Sequence, residues 1–246
     1  MTLHHGIARE AYEAIPGINW SALRRGIGKT GMHIQTALDA PDRSDTPAMK
    51  FGRALHMAIL QPEFFATSWD IKPKVKTTTE PGMLTEPEAA HITAMVDKFR
   101  DLRLSLEHTE LAMSWERDGY ACKGSVDAVT TDGLLIDLKT TDDASPTAMA
   151  ATTWRMGYHG QLAWYKHGLI ANGVAIKGCL LVCMEKTAPY GIGVYTLCPY
   201  ALQRGDAMAT KLLNLYRDRT VADYGAQSLP VPNWAITDDA LATIGN

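Results

Sequence analysis

Gly124-Ser125-Val126-Asp127-Ala128-Val129, then Thr130-Thr131-Asp132-Gly133, then Ile136-Asp137-Leu138-Lys139-Thr140 is the stretch whose reading decides the fold. Two runs of strand-forming residues bracket a turn signal, so the segment reads as a β-hairpin. Side chains alternate faces along a strand; Asp137 and Lys139 therefore share one face, while Ile136 and Leu138 point into a core. The register follows from the turn. A two-residue loop at Asp132-Gly133 would pair Thr131 with Leu134 and leave Asp127 across from Leu138, on the wrong face. A type I turn at Thr131-Asp132 followed by a left-handed Gly133 pairs Thr130 with Leu134 and sets Asp127 opposite Asp137. Gly133 favours the second arrangement, because only glycine takes positive φ without a Cβ penalty. Two carboxylates and one ammonium converging on a sheet face suit a divalent cation and the activation of water. Taken alone, Asp137-Leu138-Lys139 reads as the wet side of a surface hairpin.

Two further segments change that reading. In Tyr158-His159-Gly160-Gln161-Leu162-Ala163-Trp164-Tyr165, Gln161 and Tyr165 are four residues apart and share a helix face. In Phe51-Gly52-Arg53-Ala54-Leu55-His56, Gly52 and His56 stand one helical turn apart. The ordered set His56, Asp127, Asp137, Lys139, Gln161 and Tyr165 resembles the PD-(D/E)XK nuclease superfamily. It is most similar to the RecB-type branch, and within it to the exodeoxyribonuclease VIII (RecE-type) group of phages and prophages. Leu60-Gln61-Pro62-Glu63-Phe64-Phe65 and Cys122-Lys123-Gly124 add to the likeness, which runs from about Trp20 to Tyr165. Val126 departs from it, standing where the superfamily name implies proline.

The resemblance implies an α/β fold with a restriction-endonuclease-like core, an αβββαβ mixed sheet flanked by helices. On that frame residues 1–84 form a helical extension carrying His56, 85–222 the nuclease core and 223–246 an irregular tail. It also implies a Mg²⁺-dependent deoxyribonuclease, with Mn²⁺ able to substitute, digesting double-stranded DNA 5′-to-3′ and passing single strands to an annealing partner. A ring-shaped homo-oligomer, trimer or tetramer, goes with that activity. Asp127, Asp137, Lys139 and Gln161 take the catalytic roles. His56, Asp127, Asp137 and the backbone carbonyl of Leu138 hold the metal, and Tyr165 contacts a DNA phosphate. Glu110, on the preceding strand, resembles a recurrent glutamate of the group and reads equally well as a surface strand residue. Two rival readings stay open: an endonuclease or Cas4-like strand trimmer, and a DNA-binding module on a nuclease fold that has lost catalysis.

With 246 residues, 46% of them hydrophobic and 21% charged, the chain suits one α/β domain with a helical extension. The net charge of −3 runs against the basic bias usual in DNA-binding proteins. Phosphate binding then depends on gathered cations, for which Arg24, Arg25, Lys29, Lys72, Lys74, Lys76 and Lys123 are available. No apolar run is long enough to span a membrane and the N-terminus lacks a signal pattern, so a cytoplasmic protein is expected. The four cysteines contain no C-x-x-C pair, which argues against an iron–sulfur cluster. Cys179 and Cys183 fall on one side of an apolar strand, as buried thiols do.

Ser21 is the expected cap of a first helix, and Thr46-Pro47 opens a helix reaching Leu60. The capping box Thr85-Glu86-Pro87-Glu88 starts another, reaching about Leu104. Strands are expected near 109–117, 120–129, 134–140, 178–186 and 191–198. A helix from Ser145-Pro146 breaks near Gly157 and resumes to Ala171, and a last one runs from Pro199 to Arg219. Trp164 is expected in the core.

Overall fold

The computed structural model describes residues 1–40, 46–73, 78, 80 and 82–219. Strand β1 (Thr2–His4) is followed by helices α1 (Arg9–Ala14), α2 (Trp20–Leu23), α3 (Gly31–Asp39), α4 (Pro47–Leu60) and α5 (Pro62–Ser68). Strands β2 (Asp70–Lys72) and β3 (Met83–Thr85) lead into α6 (Glu86–Arg100). The central hairpin region is β4 (Leu106–Arg117), β5 (Tyr120–Thr130) and β6 (Leu134–Thr141). Helices α7 (Pro146–Met156) and α8 (Tyr158–Ala171), strands β7 (Gly178–Glu185) and β8 (Ile192–Thr196), and helix α9 (Pro199–Arg217) complete the chain.

The hairpin turn is the one the sequence demands. Gly133 sits at φ +85° and its N–H donates to the Thr130 carbonyl at 2.9 Å. The pairs Ala128–Ile136 and Val129–Leu135 set the expected register. A six-stranded sheet forms around it in the order β1-β4-β5-β6-β7-β8. Within this sheet only β6 and β7 run parallel and every other neighbouring pair is antiparallel; β2 and β3 form a separate parallel pair. The crossover from β6 to β7 passes through α7 and α8, as a parallel pair requires.

Helices cover both faces of the sheet. On one, Trp20, Leu23, Ile34, Leu162, Leu169 and Leu212 pack on Leu111, Met113, Trp115, Leu135 and Leu181. On the other, Phe51, Leu55, Ile92, Met95 and Phe99 pack on Ala128, Ile136, Leu138 and Val182. Cys122, Cys179 and Cys183 are buried free thiols and Trp164 is fully buried, whereas Cys198 is exposed.

Three helix starts follow the caps expected for them. Thr46 and Ser145 accept from Met49 N–H and Ala148 N–H, and Thr85 and Glu88 form a complete capping box. Two expectations are corrected. The cap of α2 is Asn19, whose side chain accepts from Ala22 N–H, and Ser21 lies inside the helix. Helix α6 stops at Arg100, and Arg103, at φ +51°, turns the chain towards β4. Lys74, Lys76 and the 223–246 tail lie outside the described residues. Among the described residues no helix is long and apolar enough to cross a membrane.

Candidate metal centre

Helix α4 carries His56 to the sheet, and a buried lysine fixes that helix. The Lys50 ammonium, 1% exposed, donates to the carbonyls of Thr78 at 2.7 Å and Met83 at 3.1 Å and pairs with Glu88 at 3.1 Å. Glu88 is the carboxylate of the α6 capping box. One buried charge thereby ties α4 to the start of α6, which restricts where His56 can stand.

The opposing carboxylates come from an interruption in the sheet. The β4–β5 ladder runs Thr109–Ala128 and then Leu111–Val126, with Glu110 and Asp127 left out of it. Glu110 sits at φ +48°, a left-handed conformation that costs a non-glycine residue free energy. Strand alternation breaks at the same place. Val126 and Val129, three residues apart, both enter one core, where a regular strand would separate them. The distortion turns Glu110 and Asp127 towards α4, and ligand atoms of His56, Glu110 and Asp127 all lie within 4.8 Å of one another.

The contacts around this trio are short. His56 Nδ1 is 3.5 Å from Asp127 Oδ1, and His56 Nε2 is 3.1 Å from the Leu138 carbonyl. The Leu138 N–H donates to Asp127 Oδ2 at 2.6 Å, so the carboxylate stands in for the next rung of the β5–β6 ladder. Lys139 Nζ lies 2.6 Å from Asp137 Oδ2 and 4.9 Å from the centre of the Tyr158 ring.

Electrostatics sort the carboxyls. Burial would raise Asp127, but His56, Lys139 and the Leu138 N–H together hold it below the usual carboxylate range. Burial, with the Asp127 charge, pushes Asp137 up despite Lys139. Glu110 is lifted to about 7, mainly by burial with Asp127 adding to it and His56 opposing. Burial would lower His56 and Lys139, yet the adjacent carboxylates raise both. Strained backbone, a raised carboxyl and a carboxylate crowded by cations are what a protein retains where it binds a further charge.

His56, Asp127, the Leu138 carbonyl, Asp137 and Lys139 therefore meet as a group, and Glu110 joins them. Asp137 stands next to the trio, turned to Lys139. The face that Asp137 and Lys139 share is not the wet side of a surface hairpin: α8 covers it, leaving the Asp137 residue only 1% exposed. Gln161 and Tyr165 pair with each other, Nε2 donating to the phenol oxygen at 3.3 Å. Tyr165 also packs on Gly124, where a Cβ would come within 3.0 Å of its ring. The residue against Lys139 is Tyr158, unassigned from the sequence. Its signal was available, since it lies one turn before Gln161 in the same quoted helix.

Lys123 does not line a groove at this site, and its placement corrects that expectation. Its ammonium donates to the carbonyls of Tyr12 at 3.1 Å, Glu13 at 3.0 Å and Ile15 at 2.6 Å. The Tyr12 carbonyl also accepts from the Ile15 N–H at 3.2 Å, whereas the Glu13 and Ile15 carbonyls lie at the end of α1, where a cation is favoured by the helix dipole. Burial lowers the Lys123 pKa, with Glu13 opposing. Lys123→Met should cost about 2 kcal/mol by stranding those carbonyls, a fall in Tm of roughly 4–8 °C. DNA affinity, measured by anisotropy, should not change. Lys72 pairs with Glu80 at 2.5 Å, while Arg24, Arg25 and Lys29 lie together on the exposed turn after α2.

The donor set suits a divalent cation. One imidazole nitrogen and two carboxylates converge, and the buried Oδ2 of Asp137 meets no hydrogen-bond donor beyond the Lys139 ammonium. No curated protein matches the chain. A solved structure of a candidate exonuclease from Eubacterium rectale superimposes with a TM-score of 0.65 at 12% identity, covering 92% of this chain and 93% of that one. The structure of SSO0001 aligns over 85% of this chain and 88% of that one at 13% identity, with a TM-score of 0.30. The first of these shares the fold, and a family model described as a PDDEXK-like domain of unknown function matches residues 29–220. That match spans most of the chain, and the chain belongs to this PDDEXK-like family (DUF3799).

Proposed function

We propose that this protein is a Mg²⁺-dependent deoxyribonuclease of the RecE-type branch, a 5′-to-3′ exonuclease on double-stranded DNA that produces single strands for recombination. The observation that carries the nuclease reading is the convergence of His56, Glu110 and Asp127 beside the Asp137–Lys139 pair. The family and the likeness to a candidate exonuclease support it. Polarity, the annealing partner and a ring-shaped trimer or tetramer rest on the resemblance alone.

His56, Glu110, Asp127, Asp137 and the Leu138 carbonyl would hold the metal, which supplies Lewis acidity and a water of lowered pKa. The chain's own groups do the rest. Asp127, accepting from Leu138 N–H, stays ionised and fixed in direction. Lys139, charged and held between Asp137 and the Tyr158 ring, places a positive charge where a phosphate gains negative charge during hydrolysis. Tyr158 restricts the lysine to one approach. Helix α8 shields the pair from bulk water and so strengthens its field.

Linear duplexes labelled at either end, incubated with Mg²⁺ or with EDTA, test the reading. Mg²⁺ and Mn²⁺ should support digestion, with the 5′ label released first. Ca²⁺ should bind without turnover, because its looser coordination holds water and phosphate less rigidly in line. Digestion in EDTA, or none in any metal, would sink the proposal; cuts within closed circles would point to an endonuclease.

A further inference from the structure

The surface leading away from Lys139 contains an aromatic side chain that no core claims. Trp154, near the end of α7, is 48% exposed, and Met156 and Ile27 beside the α7–α8 junction are 37% and 38% exposed. The indole is nevertheless held in place. Its ring lies against His159, centroids 4.2 Å apart and planes tilted by 44°, and His159 is only 1% exposed, its Nδ1 3.3 Å from the Thr153 carbonyl. Trp154 is thus held by contact with a fixed buried ring while about half of it stays exposed.

This patch is continuous with the metal centre. Tyr158, against Lys139, follows Gly157, whose left-handed conformation (φ +73°) brings the end of α7 and the start of α8 together. A Cβ on Gly157 would lie 3.2 Å from Ile27 Cδ1, so the turn after α2 borders the same junction. Arg24 on that turn is near enough for its charge to act on the Tyr158 phenol. The two bordering segments, residues 24–29 and 153–159, carry Arg24, Arg25, Lys29 and Arg155 and no carboxylate at all. Exposed apolar surface bordered by two segments that carry cations and no carboxylate is poorly matched to a purely apolar partner and well matched to a polyanion with flat aromatic groups.

We infer that Trp154 is a base-stacking platform for single-stranded DNA, on a path running from Lys139 over the Tyr158–Gly157 junction towards Arg24 and Arg155. A single strand is favoured over duplex because duplex bases are already stacked and offer only their edges. An exposed indole face takes an unstacked base of any identity. The inference rests on the nuclease reading of the metal centre, and assigns that site a single-strand path.

The test measures binding of a fluorescent twelve-residue oligothymidylate and of a blunt duplex by anisotropy in EDTA, which prevents cleavage. Trp154→Ala should weaken oligothymidylate binding roughly 5- to 150-fold, Trp154→Phe should restore most of it, and duplex binding should change much less. The salt dependence of binding should be the same for Trp154→Ala as for the wild type, since no phosphate contact is lost, whereas Arg155→Ala should reduce it. Equal affinity of wild type and Trp154→Ala for oligothymidylate overturns the inference, whatever the cleavage assay shows. So does a change of oligomeric state in Trp154→Ala, seen by sedimentation, which would make the patch a contact between copies of this chain. Trp154-dependent binding by a protein that cleaves nothing in Mg²⁺ would uphold the platform and defeat the nuclease reading instead.

Discussion

Asp127→Asn is expected to lower DNA hydrolysis by more than about a thousandfold while leaving the protein folded. The substitution removes the charge that His56 and Lys139 hold down, and with it the anionic ligand nearest both His56 and Glu110. It keeps an oxygen able to accept from the Leu138 N–H, the bond that replaces a rung of the β5–β6 ladder. Alanine would lose that bond as well and confuse the two effects. Calorimetry should show Mn²⁺ binding weakened in step with activity. In the wild type, millimolar Mn²⁺ should raise Tm, because a ligand that binds only the folded state stabilises it; Asp127→Asn should lose most of that increase. Near-normal cleavage by Asp127→Asn would remove this carboxylate from the site.

Gly205→Val should strongly destabilise the protein from a position outside the site. Gly205 on α9 faces the backbone of α8, and a Cβ there would stand 2.2 Å from the His159 carbonyl oxygen and 3.0 Å from the Ala163 Cβ. Backbone cannot swing aside as a side-chain end can, so the two helices must separate. That opens the packing of Leu162 and Ala209 in the core between α8, α9 and the sheet. The expected cost is about 3 kcal/mol or more, a fall in Tm of roughly 6–12 °C by thermal melting. Since α8 also carries Tyr158 against Lys139, activity should fall with it. A valine variant melting within about 2 °C of the wild type would mean that α8 and α9 are not in this close contact.

The hairpin, its register and the starts of α4, α6 and α7 are legible in the chain alone, because each depends on neighbouring residues. Gly133 admits one turn, that turn admits one register, and the register puts Asp127 across from Asp137. Thr46-Pro47, Thr85 to Glu88 and Ser145-Pro146 satisfy their own first-turn N–H groups, so they announce helices wherever those helices later pack. Family motifs named His56, Asp127, Asp137 and Lys139 as partners for the same reason: their spacing survives in the linear chain. Tertiary structure decided the rest. No local pattern says that Glu110 leaves the ladder in a left-handed conformation, since that distortion is held by the strands and by α4 around it. Nothing local says that the Lys123 ammonium ends among the carbonyls of α1, or that α8 closes over Asp137 and Lys139. A lone lysine such as Lys123 reads as a phosphate contact until a helix end more than a hundred residues away supplies three carbonyl acceptors. Burial and charge pairing are sums over the whole folded chain, and only the folded chain assigns them.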